Sequence, residues 1–228
     1  MSSNTNRLTA FLVVGLLSGF GLVGADDEPD PILEYYWQHA RRAARANSPD
    51  TTGVSYSFRA RTYKHTVSDA GRISRTDSVL QDYFFSDGTP DSVKTVQGEA
   101  GRFKDLDFSH PAVFESEYHL SLFPNDTGGP RLAIGLWSDS TLGAQPDGLV
   151  VIDRNQYFLY SLYSYYPEKG GYKRFTRSFR FVMVDGYVFP DSVWEVATKL
   201  GVFFPESYRL ETGISEIRVW KNRERDEP

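Results

Sequence analysis

The chain contains 228 residues, of which 40% are hydrophobic, 15% aromatic and 24% charged; its formal net charge is -5 and it has no cysteine. An aromatic content this high argues against a disordered chain. The absence of cysteine excludes a disulfide framework, a cysteine nucleophile and thiolate metal ligands. An acidic chain is also poorly suited to nonspecific nucleic-acid binding, because neutralising phosphates needs a basic surface. The length favours one domain over two.

The first 25 residues have the pattern of a secretory signal peptide. Arg7 precedes an uncharged apolar stretch over residues 8–23, and the small residues before and at Ala25 suit a cleavage site. The alternative is a membrane anchor, but a helix needs about 20 apolar residues to span a bilayer, more than this stretch offers. We predict cleavage after Ala25, a single domain over residues 26–228 with a loose tail over 221–228, and export to the periplasm or beyond.

An amphipathic helix is predicted at the start of the exported chain. Asp30 is a suitable N-cap, and Pro31 suits the first helical position. From Leu33 to Ala44, apolar residues recur at spacings of three and four, which places them on one side of a helix. The turn residues around Pro49 mark its end.

Beyond Gly53 the hydrophobic period changes to two, which predicts strands. Short turns such as Asp185-Gly186 separate them without intervening helices, which is typical of an antiparallel meander. Predicted strands cover residues 54–63, 73–85, 92–97, 132–137, 149–153, 156–166, 172–184, 188–199 with a break at Pro190, 202–204 and 208–220.

The stretch over residues 98–130 is rich in aromatic and aliphatic residues but has no clean period. We predict that it is partly helical and forms a lid over a cavity. The expected fold is therefore mainly β: a strongly curved antiparallel sheet forming an incomplete barrel, with the N-terminal helix packed on it. A sheet of this kind can enclose one small apolar ligand.

In the strand over residues 172–184, one of the two alternating sets of side chains is apolar except for a single arginine, Arg177. This set is either an ordinary core or a cavity wall with a polar handle. The strand near Tyr157 is apolar in both phases, which is typical of a strand covered on both sides or facing a ligand. The candidate cavity residues are Phe58, Ile134, Leu136, Tyr157, Leu159, Arg177, Phe179, Phe181, Met183 and Trp194.

Motifs for chemistry are scarce. The four histidines, His39, His65, His110 and His119, do not have metal-ligand spacing. The sequence contains no nucleophile-elbow, phosphate-loop or dinucleotide-binding pattern. We predict no catalytic residue, no metal and no cofactor, although two carboxylates that meet only in space could still form a glycosidase pair.

Several features resemble the periplasmic outer-membrane lipoprotein carrier and lipoprotein-sorting superfamily. A helix leads directly into the first strand, and residues 148–153 (GLVVID) with 156–159 (QYFL) are similar to a strand pair of that family. Residues 184–193 (VDGYVFPDSV) are similar to its hairpin, and the last strand follows an apolar stretch. The resemblance implies an incomplete barrel with a helical lid, and a monomeric carrier of lipid acyl chains or lipoproteins. The family's lid-locking arginine has three possible counterparts here: Arg59, Arg61 and Arg177.

Two other functions remain open on the sequence alone. One is a non-enzymatic envelope module that binds a protein partner. The other is an exported carbohydrate-binding β-protein that stacks sugars on Tyr163, Tyr165, Tyr166 and Tyr172.

Overall fold

The computed structural model describes residues 30–68, 70–103, 108, 117–122, 128–138, 147–166, 171–200 and 206–220. The predicted signal peptide, the predicted strand at 202–204 and the C-terminal tail lie outside these residues. Two helices precede the strands, α1 (Pro31–Ala46) and α2 (Pro49–Thr52). The strands are β1 (Ser55–Val67), β2 (Ile73–Ser86), β3 (Thr89–Gly98), β4 (His119–Leu122), β5 (Arg131–Trp137), β6 (Asp147–Asp153), β7 (Leu159–Tyr166), β8 (Tyr172–Val184), β9 (Tyr187–Lys199) and β10 (Glu206–Trp220).

All ten strands form one antiparallel sheet in the order β3-β2-β1-β10-β9-β8-β7-β6-β5-β4. Hairpins join most neighbours, and β10 inserts between β1 and β9. The two ends of this order, β3 and β4, do not pair with each other, so the sheet does not close. The predicted fold class, a mainly β antiparallel sheet with an N-terminal helix, is confirmed.

Helix α1 begins where the sequence predicts. The Asp30 carboxylate accepts hydrogen bonds from the backbone amides of Ile32 (2.8 Å) and Leu33 (3.4 Å), two of the amides that have no partner within the helix. Its apolar side buries Leu33, Trp37, Ala40 and Ala44 against the sheet. We call the sheet surface on this side the inner face. Because residues paired across neighbouring strands share a face, the strand registers assign the rest of it.

Two backbone contacts hold the helical segment to the rim of the sheet. The Val188 amide donates to the Asn47 carbonyl (2.8 Å), and the Gly88 amide donates to the Val54 carbonyl (2.9 Å). Gly88 has a φ of 75°, and a Cβ there would lie 2.5 Å from the Asp50 carbonyl oxygen. Only glycine therefore lets the β2–β3 turn approach α2 this closely.

The structure corrects two predictions. Pro190 does not break a strand: β9 runs through it, and a register shift pairs Phe181 with Pro190 after Arg180 has paired with Ser192. A bulge tolerates proline because no ladder hydrogen bond is required there. The described part of the stretch over 98–130, predicted as partly helical, contains the short helical turn Ala100–Arg102 and a strand that was not predicted, β4. Four residues are too few to show a period of two, which is why β4 was not predicted. Residues 104–107, 109–116 and 123–127 of the predicted lid lie outside the described residues.

No helix among the described residues is long and apolar enough to span a membrane.

Replacing Trp37 with alanine should lower the free energy of unfolding by about 3–5 kcal/mol, because its side chain is 1% exposed and its loss leaves a cavity between α1 and the sheet. Urea denaturation followed by circular dichroism measures the change. Ile32→Ala is the control on the same helix; Ile32 is 64% exposed, so we expect a change within about 0.5 kcal/mol. Equal effects of the two substitutions would contradict this packing.

Candidate functional site

The inner face carries the main hydrophobic core. Phe58 on β1 and Phe179 on β8 belong to it, together with buried aliphatic residues of β5, β6 and β7. Helix α1 buries Leu33, Trp37, Arg41 and two alanines, and its Tyr36 packs against the same core. The large apolar side chains in this core therefore come mostly from the sheet.

A small cavity lies where α2 meets the sheet. Its volume is about 20 Å³. We call it the aromatic slot, and it is lined by Ser48, Pro49, Asp50, Tyr56, Phe58, Phe108, Phe179, Phe181, Val188, Phe189 and Pro190. The Tyr56 ring stacks on Phe85 at a centroid separation of 4.2 Å, and Phe108 meets Phe58 edge-on at 5.4 Å. A volume of this size holds a water molecule but no larger ligand.

The polar groups at the slot are neutral or lie at its rim. The Tyr56 hydroxyl donates to Asp50 Oδ1 at 2.6 Å. Burial, together with this hydrogen bond, raises the pKa of Tyr56 far above its usual value, and burial raises the pKa of Tyr83 beside it to about 12. Both tyrosines are therefore uncharged at neutral pH. Ser48 Oγ is buried and has no hydrogen-bond partner among the described residues. The slot thus offers an apolar wall with a few neutral polar atoms.

A charged pair interrupts the apolar inner face further along the strands. The Arg177 guanidinium on β8 donates twice to Glu195 Oε2 on β9, at 3.1 Å from Nε and 2.8 Å from Nη2. The two side chains are only 12% and 7% exposed. The Tyr208 hydroxyl on β10 donates to Glu195 Oε1 at 2.9 Å, and proximity to this carboxylate adds to burial in raising the pKa of Tyr208. Both carboxylate oxygens are thereby satisfied, as a buried charge requires.

Beyond the charged pair lies a second, smaller apolar cluster. Phe175, Ala197 and Tyr208 are buried in it, and Tyr166, Tyr172 and Leu210 pack around them. We call this group the tyrosine cluster. Its residues are cross-strand neighbours on the inner face: Tyr166 pairs with Phe175, Phe175 with Ala197, and Ala197 with Tyr208. The inner face therefore has two apolar regions with charges between them.

Most of the candidate cavity residues lie on this inner face. Six of them belong to the main core and are at most 8% exposed: Phe58, Ile134, Leu136, Leu159, Phe179 and Phe181. Arg177 lies beside them in the charged pair. The remaining three, Tyr157, Met183 and Trp194, lie elsewhere.

Trp194 and Met183 differ from the expectation. The register pairs Phe179 with Val193, so Val193 and Glu195 face inward while Trp194 faces outward and is 37% exposed. Met183 follows the bulge after Arg180 and is 47% exposed. A sequence phase does not reveal which residue of the next strand it pairs with, so neither position could be assigned in advance.

Tyr157 lies in the turn between β6 and β7 and contacts the start of α1. Its hydroxyl lies 3.0 Å from that of Tyr35, and its ring lies 4.8 Å from the His39 ring. Its φ of 56° is strained for a bulky side chain. Tyr157 therefore fastens the first turns of α1 rather than lining a cavity.

The three arginines considered from the sequence lie in different places. Arg177 is on the inner face. Arg59 is on the outer face, where its guanidinium binds Asp82 (2.7 Å) and holds the pKa of that carboxyl below its usual value. Arg61 is exposed.

The sugar-stacking tyrosines do not form one platform. Tyr166 and Tyr172 belong to the tyrosine cluster, whereas Tyr163 and Tyr165 pair with Ser178 and Thr176 on the outer face. Within the described part of the chain, no three His, Asp or Glu side chains converge as metal ligands.

The sequence reasoning missed Glu195 and Tyr208. The signal for Glu195 was present, since a carboxylate stands in phase with Val193 and Ala197 in an otherwise apolar strand. Its meaning depended on the register with β8, which brings Arg177 opposite.

Comparisons with known proteins give structural likenesses only. No family model and no curated protein matches the chain. A LolA superfamily protein from Nitrosomonas europaea is 10% identical, covers 86% of this chain and 94% of its own, and superposes with a TM-score of 0.36. A putative outer membrane lipoprotein-sorting protein domain from Vibrio parahaemolyticus is 13% identical, with coverages of 85% and 96% and a TM-score of 0.40. A DUF1329 family protein from Desulfovibrio piger is 13% identical, with coverages of 82% and 92% and a TM-score of 0.41.

All three TM-scores are below 0.5, and no identity exceeds 13%.

Arg177→Met should lower the free energy of unfolding by about 3–5 kcal/mol, because it leaves the Glu195 charge buried without its partner. The double variant R177M/E195Q removes both charges and keeps an oxygen for the Tyr208 hydroxyl, so it should recover much of the loss. Urea denaturation measures both. Arg180→Met is the control: its pair with Asp191 lies on the same strands but is exposed, and we expect a change below about 1 kcal/mol. A double variant no more stable than R177M would contradict the role assigned to charge burial.

Proposed function

We propose that this protein is an exported, periplasmic, non-enzymatic binding protein that shelters a lipid acyl chain, free or attached to a lipoprotein, against the inner face of its sheet. One observation carries the proposal: the inner face is lined by aromatic and aliphatic side chains that come mostly from the strands, and helix α1 covers part of it. We also propose that the signal peptide is cleaved after Ala25 and that the protein acts as a monomer.

The chemistry of the interface supports exchange of the helix for a hydrocarbon chain. The hydrophobic effect has no direction, so an apolar surface accepts any apolar group of suitable shape. Burying ten methylene groups contributes about 8 kcal/mol, which suffices for binding with little polar help once the entropic costs of association are met.

The closed arrangement leaves no room for such a chain. The aromatic slot has about 20 Å³, whereas ligand pockets are typically about 300–1,000 Å³. Binding therefore requires the helical segment around Ser48 and Asp50, which forms one wall of the slot, to separate from β9. The hydrogen bond between Asn47 and Val188 is one of the contacts that must open.

A disulfide across this contact tests the proposal. The hydrogen bond between the Val188 amide and the Asn47 carbonyl (2.8 Å) brings the two backbones within the Cα separation that a disulfide needs, and titration of free thiols checks that the engineered bond has formed. The chain has no native cysteine, so the bond has no competitor. The protein with Asn47→Cys and Val188→Cys should bind a fluorescent fatty acid at least about tenfold more weakly when oxidised than when reduced.

The matched control is a disulfide within the sheet. The Thr198 and Ser207 hydroxyls lie 3.0 Å apart on neighbouring strands, so Thr198→Cys with Ser207→Cys adds a crosslink that leaves the helix free. Its oxidation should leave binding unchanged. Equal binding by oxidised and reduced N47C/V188C would show that the ligand does not enter beneath the helix. No binding by the unmodified, folded protein would reject the proposal.

A second candidate function is binding of an envelope protein by strand addition, and the edge strand β3 favours it. Every residue of β3 is exposed, including Val93 (52%) and Val96 (48%). An edge strand offers unpaired backbone groups to another chain.

Hydrogen–deuterium exchange separates this candidate from acyl-chain binding. Strand addition should slow amide exchange over residues 89–98 when a solubilised envelope fraction is added, because the amides on the open side of β3 gain partners. The fatty acid alone should leave this segment unchanged. Unaltered exchange with the envelope fraction would count against strand addition at β3.

A further inference from the structure

A polar pocket lies on the inner face at the far end of β1 from the aromatic slot. Its volume is about 380 Å³, and its lining residues are Lys64, Thr66, Arg75, Asp77, Gly101, Arg102, Lys199 and Glu206. The strand registers bring it together: Lys64 pairs with Asp77, Thr66 with Arg75, and Glu206 with Lys199. We call it the cationic pocket.

Positive charge exceeds negative charge in this pocket. Four cations face two carboxylates, although the whole chain carries a formal charge of -5. Asp77 is shared by Arg102 (2.6 Å) and Arg75 (2.9 Å), and Arg102 also pairs with Glu99 (3.4 Å), whose side chain is 80% exposed. Lys64 lies 3.7 Å from Glu206, a carboxylate that is itself half exposed.

Two lysines of the pocket lie close to tyrosine rings. Lys64 Nζ lies 4.9 Å from the centre of the Tyr208 ring, and Lys199 Nζ lies 5.5 Å from that of Tyr172. Tyr208 and Tyr172 belong to the tyrosine cluster. The cationic pocket therefore borders the tyrosine cluster through Lys64 and Lys199, an arrangement that suits an anionic group attached to a hydrocarbon.

We propose that the cationic pocket binds the phosphate group of an anionic amphiphile whose acyl chain lies along the inner face. The placement of the acyl chain rests on the proposed function, whereas the binding of phosphate does not depend on it. Ammonium and guanidinium groups are the usual protein ligands of phosphate, and Thr66 supplies a further hydroxyl donor.

The dimensions of the inner face agree with this placement. A bilayer core about 30 Å thick is two chains deep, so one acyl chain reaches about 15 Å. At about 3.3 Å per residue, that length runs from Lys64 to the level of Ala60 on β1. Ala60 belongs to the main core, where Phe58 and Phe179 also lie.

Isothermal titration with three probes tests the inference in low salt, below the micelle concentrations. The probes are lysophosphatidylglycerol, a neutral monoacylglycerol of the same chain length, and inorganic phosphate. The unmodified protein should bind the anionic lipid about tenfold more tightly than the neutral one, and K64Q/K199Q should abolish that preference while leaving the neutral lipid unaffected.

The control variant K94Q/R218Q also removes two positive charges. Both residues are exposed and near Asp82 on the outer face, so the preference should persist in this variant. A preference that survives K64Q/K199Q, or that is absent from the unmodified protein, would overturn the inference. Unchanged thermal unfolding shows that each variant is folded.

The probes also separate the two possible sources of phosphate and the two proposals. Weak inorganic phosphate binding beside strong, lysine-dependent binding of the anionic lipid identifies a lipid headgroup. Lysine-dependent binding of inorganic phosphate without binding of either lipid would keep the pocket as a free-anion site and reject acyl-chain binding. Binding of both lipids with equal affinity would keep acyl-chain binding and reject the pocket.

Discussion

The sheet does not close, so its apolar inner face has to be covered by other parts of the chain, and the rest of the structure follows from this. A closed barrel would bury this face against itself, but here β3 and β4 are separate edges. Helix α1 supplies part of the cover with Leu33, Trp37, Arg41 and two alanines. The large apolar side chains of the core lie mostly on the sheet, and the helix closes over them. The aromatic slot lies at the end of this cover, where α2 meets the sheet.

The inner face also contains a buried pair of opposite charges. The buried Arg177–Glu195 pair has both carboxylate oxygens occupied, one by the guanidinium and one by the Tyr208 hydroxyl. Such a pair adds little net stability, but each member alone would be strongly unfavourable. It lies between the main core, which presents neutral groups, and the tyrosine cluster, which borders the cationic pocket.

The residues of the helix and strands show how far local pattern extends. Asp30 and Pro31 mark the beginning of α1 because capping and a fixed proline φ act within a few residues. Strand β8 has the predicted bounds, since Tyr172 and Val184 are flanked by turns that need glycine or a positive φ. Local pattern could not predict that β9 runs through Pro190, because this depends on a register shift relative to β8. It could not predict β4 either, because four residues are too few to show a period of two.

The mainly β class, the amphipathic helix and most strand positions follow from the sequence, because periodicity, caps and turns are properties of neighbouring residues. Six of the residues that the sequence predicts to line a cavity, including Phe58 and Phe179, are buried in the main core. Which alternating sets of side chains share a face depends on strand register, which is set by the tertiary structure, since a shift of one residue turns a strand over. The observed register places Trp194 on the outer face and Glu195 opposite Arg177, and it brings Lys64 and Lys199 from distant parts of the chain to one pocket.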